Sequence, residues 1–393
     1  MTGNSERSNR QLLVYEPRVE GHHPGWLRFI TEDLLSANCD LTLALDLRPT
    51  SRKIIEDSLQ GILADVRLVP AVDGNGRHRG GSTLRSLSLC LAESKAPRAF
   101  LCELDELASA LFRRAALGWL PPSELKGRFG GIYHRPRFMA KPRRSLNNWL
   151  KQVGFHRLLV AGWLNPLIFL DQYLARERQA DYPGAPLCFL PNPCPEGYLS
   201  DSLEARRALG IAPDRRVFLF YGGGYRRKGL HLAVEAALNI TGQVKPFLLC
   251  AGRLNPEPAV ARGLETLTAR GDALLLNRYI STGEERHCFA ACDFVLLPYI
   301  QLFGISAVLA QAVAARKPVI ASDEQLLGRQ VRDNRLGLLF RSNDAGALAR
   351  SMREAVGLAV DQLKEYRAAA ADYASRHSRA AYRRALLTSL SLP

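Results

Sequence analysis

The chain has 393 residues, too many for one ordinary core, and its 47% hydrophobic and 23% charged residues are typical of globular proteins. Lysine and arginine outnumber aspartate and glutamate by 53 to 38, so the formal net charge is +15, which favours anionic partners such as phosphates, anionic lipid or nucleic acid. No apolar run approaches the roughly 20 residues that span a bilayer, and the polar N-terminus has no signal-peptide core. We therefore expect a soluble, cytoplasmic protein, with peripheral association at the inner membrane face left open.

The cysteine pattern indicates ordinary buried thiols. The chain has eight cysteines, and no two of them show a CxxC spacing. Most lie in apolar runs, as Cys102 and Cys250 do. The sequence therefore predicts neither a disulfide framework nor a zinc site.

The first half of the chain alternates strand and helix patterns. An amphipathic helix is predicted from Trp26, and further helices over Thr83–Ser94 and Leu104–Leu117. The strands are predicted at Leu12–Tyr15, Leu41–Leu45, Val66–Val69, Ala99–Cys102, Phe129–Tyr133 and Leu158–Ala161. This alternation favours a parallel sheet with helices on both faces.

A proline-rich segment, Tyr182–Ser200, then predicts a linker or hinge, after which the alternation restarts. Helices are predicted over Leu230–Asn239 and Ala307–Ala315, and the tail Asp361–Leu390 is expected to be helical. The strands of this half are predicted at Val217–Tyr221, Phe247–Ala251, Ala273–Leu276, Phe294–Leu297 and Val319–Ala321. We expect two α/β domains facing each other across a cleft, with ligands beyond the carboxyl ends of the strands.

A glycine-rich loop, Tyr221-Gly-Gly-Gly-Tyr-Arg-Arg-Lys-Gly229, joins a predicted strand to a predicted helix. Glycines let the backbone approach a ligand closely, and a helix N-terminus offers free N–H groups and a positive dipole end. With Arg226, Arg227 and Lys228, the loop suits a diphosphate, although the spacing is not that of a P-loop. A tight turn with exposed basic residues is the alternative.

A second loop, Phe303-Gly304-Ile305-Ser306, leads into the helix that starts at Ala307. Ser306 is placed to cap that helix, whose free N–H groups would form another anion site. Both phosphate-suited loops lie in the same predicted domain.

The region from Arg216 to about Ala355 resembles the C-terminal domain of retaining glycosyltransferases of family four, which have the GT-B architecture. Five pieces occur in the family's order: VFLFYGGGYRRKGLHLAVEA, FLLCAGRL, FAACDFVLLPY, FGISAVLAQAVAARKPVIASD and NRLGLLF. The N-terminal half matches more loosely, through the loop from Glu16 to His23 and the strand end Gly131–His134. The resemblance implies an acceptor domain over residues 1–190, a nucleotide-sugar domain over 191–365, and a helix over 366–393 that returns toward the first domain.

The resemblance also implies transfer of a sugar from a nucleoside-diphosphate sugar with retention of configuration, and it implies neither a metal nor a cofactor. Lys228 with Arg226 or Arg227 would stabilise the diphosphate, beside the glycines Gly223 and Gly224. Three further implied contacts are the distal phosphate with Gly304, Ile305 and Ser306, the ribose with Gln311, and the sugar with His134. Gly21, His22 and His23 are the candidate acceptor residues, and exposed loop histidines are the alternative there. A cell-envelope polysaccharide or a lipid-linked glycan is the product that analogy favours.

The sequence departs from the family in two respects that bear on activity. The arginine that usually precedes the Lys-Gly pair is missing from its place, which falls on the glycines here, and Arg226 or Arg227 is the candidate substitute. Two glutamates usually flank the Phe-Gly loop, separated by seven residues. One alignment frame puts Phe303 and Gln311 at these positions, and the other puts Gln301 and Leu309 there, so neither supplies a carboxylate. A non-catalytic scaffold with the same fold is therefore a rival interpretation.

The charge pattern raises two further partners. The basic stretch Arg135–Arg144 is a candidate for contact with lipid headgroups or an anionic acceptor, with a solvated loop as the alternative. Nucleic-acid binding would follow from the net charge, but the sequence lacks a helix-turn-helix, RRM or zinc-finger signature. We therefore expect no nucleic-acid partner.

Overall fold

The structure is a computed structural model that describes residues 10–21, 23–140, 145–241 and 246–392. The chain divides into two compact units. Unit 1 comprises Met1–Pro191 and Arg383–Pro393, and unit 2 comprises Asn192–Tyr382.

Unit 1 is built on a seven-stranded sheet of order β3-β2-β1-β4-β5-β6-β7, in which every strand pair is parallel. Its strands are β1 Gln11–Glu16, β2 Asp40–Leu45, β3 Arg67–Pro70, β4 Ala99–Leu101, β5 Phe129–Tyr133, β6 Leu164–Phe169 and β7 Leu187–Phe189. Its helices are α1 His23–Ser36, α2 Pro49–Ser58, α3 Thr83–Ser94, α4 Asp105–Ala116, α5 Arg137–Ala140, α6 Leu146–Val160 and α7 Gln172–Asp181. Parallel neighbours need such crossover helices, which cover the faces of the sheet.

Unit 2 repeats this plan with a six-stranded parallel sheet of order β10-β9-β8-β11-β12-β13. The strands are β8 Val217–Tyr221, β9 Phe247–Ala251, β10 Ala273–Leu276, β11 Phe294–Leu297, β12 Val319–Ser322 and β13 Gly337–Phe340. The helices are α8 Ser202–Ala208, α9 Leu230–Leu238, α10 Pro258–Ala269, α11 Thr282–Ala291, α12 Ala307–Ala314, α13 Gln325–Asp333, α14 Ala345–Gly357 and α15 Val360–Arg376, and α16 Arg379–Ser389 follows. Two separate buried clusters of apolar side chains form its core.

In each sheet, the second and third strands lie on one side of the first strand, and the fourth and later strands lie on its other side. This reversal of the strand order creates a topological switch point. The switch point lies between β1 and β4 in unit 1 and between β8 and β11 in unit 2. In open parallel sheets, ligands bind beyond the carboxyl ends of the strands at this point. The predicted α/β class is confirmed, and the fold identifies two edges at which functional side chains should gather.

One predicted strand is wrong. Leu158–Ala161 belongs to the end of helix α6, and the next strand, β6, begins at Leu164. Phe155, Leu158 and Leu159 are buried at helical spacing, and α6 packs along α4. A short apolar run does not distinguish a strand from a buried helix by periodicity.

The C-terminal segment also differs in detail from the single returning helix predicted over 366–393. Two helices, α15 and α16, cover it, and they are separated at His377 and Ser378. Helix α15 belongs to unit 2, whereas the residues from Arg383 onward belong to unit 1. The segment predicted as a hinge, Tyr182–Ser200, contains strand β7, and the boundary between the two units falls within it after Pro191.

All eight cysteines are free thiols, and seven of them are buried. Among the helices that the structure describes, none is both long enough and apolar enough to cross a membrane.

His377 ties the end of α15 to the start of unit 2. Its backbone carbonyl accepts the N–H of Cys194 at 2.7 Å, and its ring stacks on Tyr373 with 4.0 Å between centroids. The ring nitrogen Nδ1 lies 2.9 Å from the Tyr373 carbonyl oxygen. Burial lowers the pKa of His377, so the folded state favours the neutral imidazole.

We expect His377 to make unit 2 less stable in acid. The neutral His377 ring contributes fully to the free energy of unfolding when the pH is above the pKa that histidine has in the unfolded chain. This contribution is lost as the pH falls toward the lower pKa of the folded state, because the unfolded chain then binds the proton more readily than the folded protein does. Urea unfolding of the wild type and of His377→Gln at about pH 7.5 and about pH 5.5 measures this contribution. The stability lost between the two pH values should be smaller in His377→Gln. The matching change of the exposed His287 to Gln should leave that loss unchanged, and an equal loss in all three proteins would contradict the assignment.

Candidate functional site

The glycine-rich loop of unit 2 leaves the carboxyl end of β8 and packs on the loop that follows β9. The Gly222 N–H donates to the Ala251 carbonyl at 2.9 Å. A Cβ atom at Gly224 would lie 1.7 Å from the carbonyl oxygen of Leu254. Only a residue without a side chain fits there, so the glycines bring these two loops together.

Gly229 ends the loop and begins helix α9. It has a left-handed φ of 76°, and a Cβ atom would lie 1.9 Å from the carbonyl oxygen of Pro298, just after β11. The Ile300 N–H also donates to the Arg227 carbonyl at 2.8 Å. The loops after β8 and β11 are therefore held together at the switch point of unit 2.

Lys228 is the cation that this loop holds most firmly. Its half-buried side chain donates from Nζ to the Tyr299 hydroxyl at 3.0 Å, and Nζ lies 4.2 Å from the centre of the Tyr299 ring. Tyr299 itself is 2% exposed, so its position is fixed by packing. The contact combines a hydrogen bond from a charged donor with a cation–π attraction.

The same Tyr299 hydroxyl reaches the second predicted loop. Ser306 Oγ lies 3.3 Å from it and accepts the N–H of Leu309 at 3.1 Å, which makes Ser306 the N-cap of helix α12. The predicted capping role of Ser306 is confirmed. Gly304, with a φ of 97°, turns the chain into this position ahead of Ile305. One phenol thus links the lysine to the positive end of α12.

Arg226 and Arg227 are exposed, whereas Lys228 is not. Arg226 lies 3.6 Å from the Glu257 carboxylate. The backbone carbonyl of Arg227 accepts the Ile300 N–H, as described above. Both arginines add positive charge to the edge, and Gly223 sits beside the Tyr225 ring.

Gln311, the predicted ribose contact, lies in a separate polar cluster at the end of β8. Its Nε2 donates to Glu285 Oε1 at 2.8 Å, and the other oxygen of Glu285 accepts a short hydrogen bond from the Tyr221 hydroxyl. Burial raises the pKa of Glu285, and the hydrogen bond from Gln311 acts in the opposite direction. The Glu285 carboxylate therefore lies beside the side-chain amide of Gln311, the residue predicted to contact the ribose.

In unit 1, His134 follows β5 as predicted. Its Nε2 lies 3.0 Å from the Cys102 carbonyl oxygen, and its ring meets the edge of Trp26 with 5.4 Å between centroids. Asp105 holds the turn by accepting the backbone N–H groups of His134 and Arg135, both at 2.8 Å. Burial raises the pKa of Asp105, and His134 opposes that effect.

Asp105 does not cap helix α4. The N-cap residue of α4 is Leu104, which makes no side-chain capping bond, and Asp105 is the first helical residue. Its carboxylate is instead used to fix the segment that carries His134.

The predicted acceptor loop leads into helix α1, whose first residue is His23. Gly21 has a left-handed φ of 64°, and His22 lies outside the described residues. His23 is not an exposed loop histidine but the buried first residue of α1, between the carboxylates of Glu16 and Glu103. The basic stretch Arg135–Arg144 is described only as far as residue 140, and its remaining four residues lie outside the described ranges.

Comparison with known proteins identifies the region that carries the lysine and the two loops. The sequence profile of the family "Glycosyl transferases group 1" matches residues 201–376, which lie within unit 2. The match covers 176 residues, which is most of unit 2 and less than half of the chain. The predicted family resemblance is therefore confirmed for this half of the chain.

A D-inositol 3-phosphate glycosyltransferase from Acidothermus cellulolyticus is 30% identical to this chain over 164 residues. The match covers 38% of this chain and 36% of that protein, so the chain spans little more than a third of the relative's length.

Solved structures share the whole fold. A glycosyltransferase from Rickettsia africae has a TM-score of 0.68 at 13% identity, and 97% of each chain is covered. Anabaena HepE in complex with UDP has a TM-score of 0.67 at 14% identity, with 97% of this chain and 99% of that chain covered. The GT-B fold class predicted from the sequence is confirmed.

In unit 2, other elements bring carboxylates to the divergent loop that contains Gln301 and Gln311. Besides Glu285 at Gln311, the carboxylate of Glu324 accepts the backbone N–H of Gln301 at 2.7 Å. Glu285 lies on α11 and Glu324 precedes α13. Sequence spacing around the Phe-Gly loop gave no signal for either residue, nor for the role of Tyr299. A tyrosine two residues after an apolar strand, Phe294–Leu297, was the one available sign that its side chain lies at the sheet edge.

The close approach at Gly229 predicts a large effect of a small substitution. Gly229→Ala should lower the free energy of unfolding by at least about 1–2 kcal/mol, the cost of a left-handed residue with a Cβ atom, with the clash against Pro298 added. Gly283 is the matched control, because it lies in the first turn of α11 and a Cβ atom there would meet no atom within 4 Å. Gly283→Ala should leave stability unchanged or raise it by up to about 1 kcal/mol. Equal urea midpoints for the two variants would contradict this account.

Proposed function

We propose that the protein is a glycosyltransferase that moves a sugar from a nucleoside-diphosphate sugar to a glycan, lipid-linked or other acceptor. The observation that carries the proposal is the contact of Lys228 with Tyr299, which holds an ammonium group beside the capped N-terminus of α12 within the group 1 domain. Fixed cations and a helix N-terminus stabilise the negative charge that develops on a departing diphosphate.

The remaining donor contacts follow from the same edge of the sheet. Lys228, with Arg226 and Arg227, would bind the diphosphate beside Gly223 and Gly224, and the N–H groups around Gly304, Ile305 and Ser306 would bind the distal phosphate. Gln311 would contact the ribose, and the carboxylate of Glu285 accepts a hydrogen bond from the Gln311 side-chain amide. HepE, which shares the fold, was solved with UDP and with UDP-glucose, which supports a nucleotide-sugar donor here.

We place the acceptor in unit 1 at Gly21, His22 and His23, with His134 near the transferred sugar. The backbone N–H groups of His134 and Arg135 donate to the Asp105 carboxylate, which fixes the strand end that carries His134. Transfer with retention, without a metal or cofactor, is the chemistry that the family resemblance favours. Basic side chains and the helix dipole would then neutralise the leaving group.

The product and location belong to the same proposal. Synthesis of a cell-envelope polysaccharide is supported by the shared fold of WaaG, described as a glycosyltransferase involved in lipopolysaccharide biosynthesis, at a TM-score of 0.61 and 14% identity. We place the protein in the cytoplasm and at the inner membrane face, where a net charge of +15 favours anionic lipid.

Thermal unfolding with UDP, GDP, ADP and dTDP tests the donor site. One nucleotide should raise the melting temperature, since a ligand at about 100 times its dissociation constant adds roughly 2.7 kcal/mol to the folded state. Lys228→Ala should lose that shift. Lys364→Ala is the matched control, because Lys364 is an exposed lysine of the same unit whose partner is Asp361, and its shift should equal that of the wild type.

The rival interpretation is a non-catalytic scaffold of the same fold. The observation that favours it is the absence of a carboxylate at 301, 303, 309 or 311. No shift with any of the four nucleotides would support the scaffold and contradict the transferase. A shift that persists in Lys228→Ala would contradict the assignment of the diphosphate site.

Tyr299 should position the lysine for the donor. Tyr299→Phe keeps the ring under Lys228 but removes the hydroxyl that Lys228 and Ser306 share, and hydrogen bonds to charged groups contribute about 1.5–3 kcal/mol. We expect nucleoside-diphosphate affinity to fall by about tenfold or more, as measured by calorimetric titration at a temperature at which both proteins are folded. The free energy of unfolding in urea should fall by up to the same amount, about 1.5–3 kcal/mol, because the folded state loses the same hydrogen bond. Tyr279→Phe, at an exposed tyrosine of the same unit, should leave affinity unchanged, and equal affinities of wild type and Tyr299→Phe would contradict a positioning role.

A further inference from the structure

Unit 1 carries a cavity of about 480 Å³ among helices α5, α6 and α7. Its volume lies in the range of small-molecule sites. The described residues that line it belong to these helices or directly follow α7, and none of them is a donor or acceptor residue proposed above. The cavity is therefore a feature of the helical layer, separate from the proposed transferase site.

The apolar part of this cavity lies around α5 and the first half of α6. Phe138 and Phe155 are each 3% exposed, and their rings meet edge to face with 6.0 Å between centroids. Trp149 lines the same space but is 49% exposed, and Val153 lies one turn farther along α6. Apolar side chains that remain open to water gain free energy when an apolar group of a ligand covers them.

The polar part of the cavity lies where α6 and α7 end. Arg157 donates from one guanidinium nitrogen to the last two carbonyl oxygens of α4, at 3.2 and 2.8 Å. Arg178 is paired with Asp181 at 2.9 Å. The His156 Nδ1 atom lies 3.4 Å from the Tyr182 hydroxyl oxygen. A guanidinium group has five N–H donors, so both arginines keep donors for a further acceptor.

The two parts of the cavity are separated along the helix axis. A crossover helix runs from the carboxyl end of one parallel strand to the amino end of the next. Trp149 lies in the first turn of α6 and Arg157 in its last turn. At 1.5 Å per residue, these two positions are about 12 Å apart along the axis. The lining is thus apolar toward one edge of the sheet and basic toward the other, which is the pattern that an amphiphile requires.

The lining favours a negative headgroup. Its described residues include Arg157, Arg178 and His156, but no aspartate or glutamate. Asp181 balances Arg178 from outside the lining, whereas Arg157 is held by carbonyl oxygens. A cationic headgroup would meet like charge there, which costs binding free energy.

We propose that this cavity binds a single-chain anionic lipid. The acyl chain would lie along Phe138, Trp149 and Val153, and the carboxylate or phosphate would lie at Arg157 and Arg178. Guanidinium groups make strong, charge-assisted hydrogen bonds to both kinds of oxyanion. A free phosphate or a sugar would leave the apolar part uncovered, and an uncharged alkyl chain would leave the arginines without an acceptor. The site does not depend on the proposed transferase activity.

A set of small probes tests both parts of the site on the full chain. Decanoate, decyltrimethylammonium and butyrate would be titrated calorimetrically, each below its micelle concentration. Decanoate should bind at least about tenfold more tightly than the cation, because of its charge, and than butyrate, because of its longer chain. The absence of decanoate binding would overturn the proposal, as would equal binding of decanoate and either of the other probes.

A cavity-filling substitution locates the binding. Val153→Trp fills the space between the apolar and basic parts and should abolish decanoate binding. Val160→Trp is the matched control, because Val160 is a 67% exposed residue of the same helix outside the lining, and it should bind decanoate like the wild type. Equal decanoate affinities of the two variants would overturn the location.

A milder substitution tests the headgroup contact and decides the case if Val153→Trp does not fold. Arg178→Gln removes the guanidinium but leaves Asp181, so decanoate binding should weaken by about tenfold, whereas decyltrimethylammonium binding should not weaken. Arg176→Gln, at an exposed arginine of α7 outside the lining, should leave both affinities unchanged. Equal decanoate affinities of Arg178→Gln and Arg176→Gln would overturn the placement of the headgroup.

Discussion

The buried phenol of Tyr299 holds together the edge of unit 2 on which the candidate chemistry depends. It receives the ammonium of Lys228 on one side and the hydroxyl of Ser306 on the other, so two loops that are far apart in sequence share one hydrogen-bonding group. A free lysine side chain has a large rotamer entropy to lose on binding an anion. Packing against Tyr299 removes much of that freedom during folding, which leaves less to be lost when a ligand arrives.

The two sheets have the same topology at their switch points but different side chains there. In unit 2, glycines bring the backbone close and leave a lysine and a helix N-terminus at the edge. In unit 1, Glu16 and Glu103 converge on His23 at the corresponding place. Topology therefore sets where a ligand binds, whereas the side chains at the strand ends set which ligand it is.

The departure from the family's glutamate spacing is accompanied by carboxylates from other elements. Glu285 on α11 contacts the amide of Gln311, and Glu324 before α13 accepts the backbone N–H of Gln301. Both carboxylates lie at the same edge of the sheet as the divergent loop. Carboxylates can reach the loop in this way because a contact requires an atom at a position in space, whichever element supplies that atom.

The sequence alone determined the alternation of strands and helices, the two α/β halves, and the glycine-rich and Ser306 loops, because these features are encoded by local periodicity, turn residues and capping. It misassigned Leu158–Ala161, since a short apolar run reads alike in a strand and in a buried helix face. Tertiary structure alone decided that His23 is buried between Glu16 and Glu103 and that Tyr299 meets Lys228. Those contacts join residues from separate strand ends, and only the order of strands in the sheet makes them neighbours.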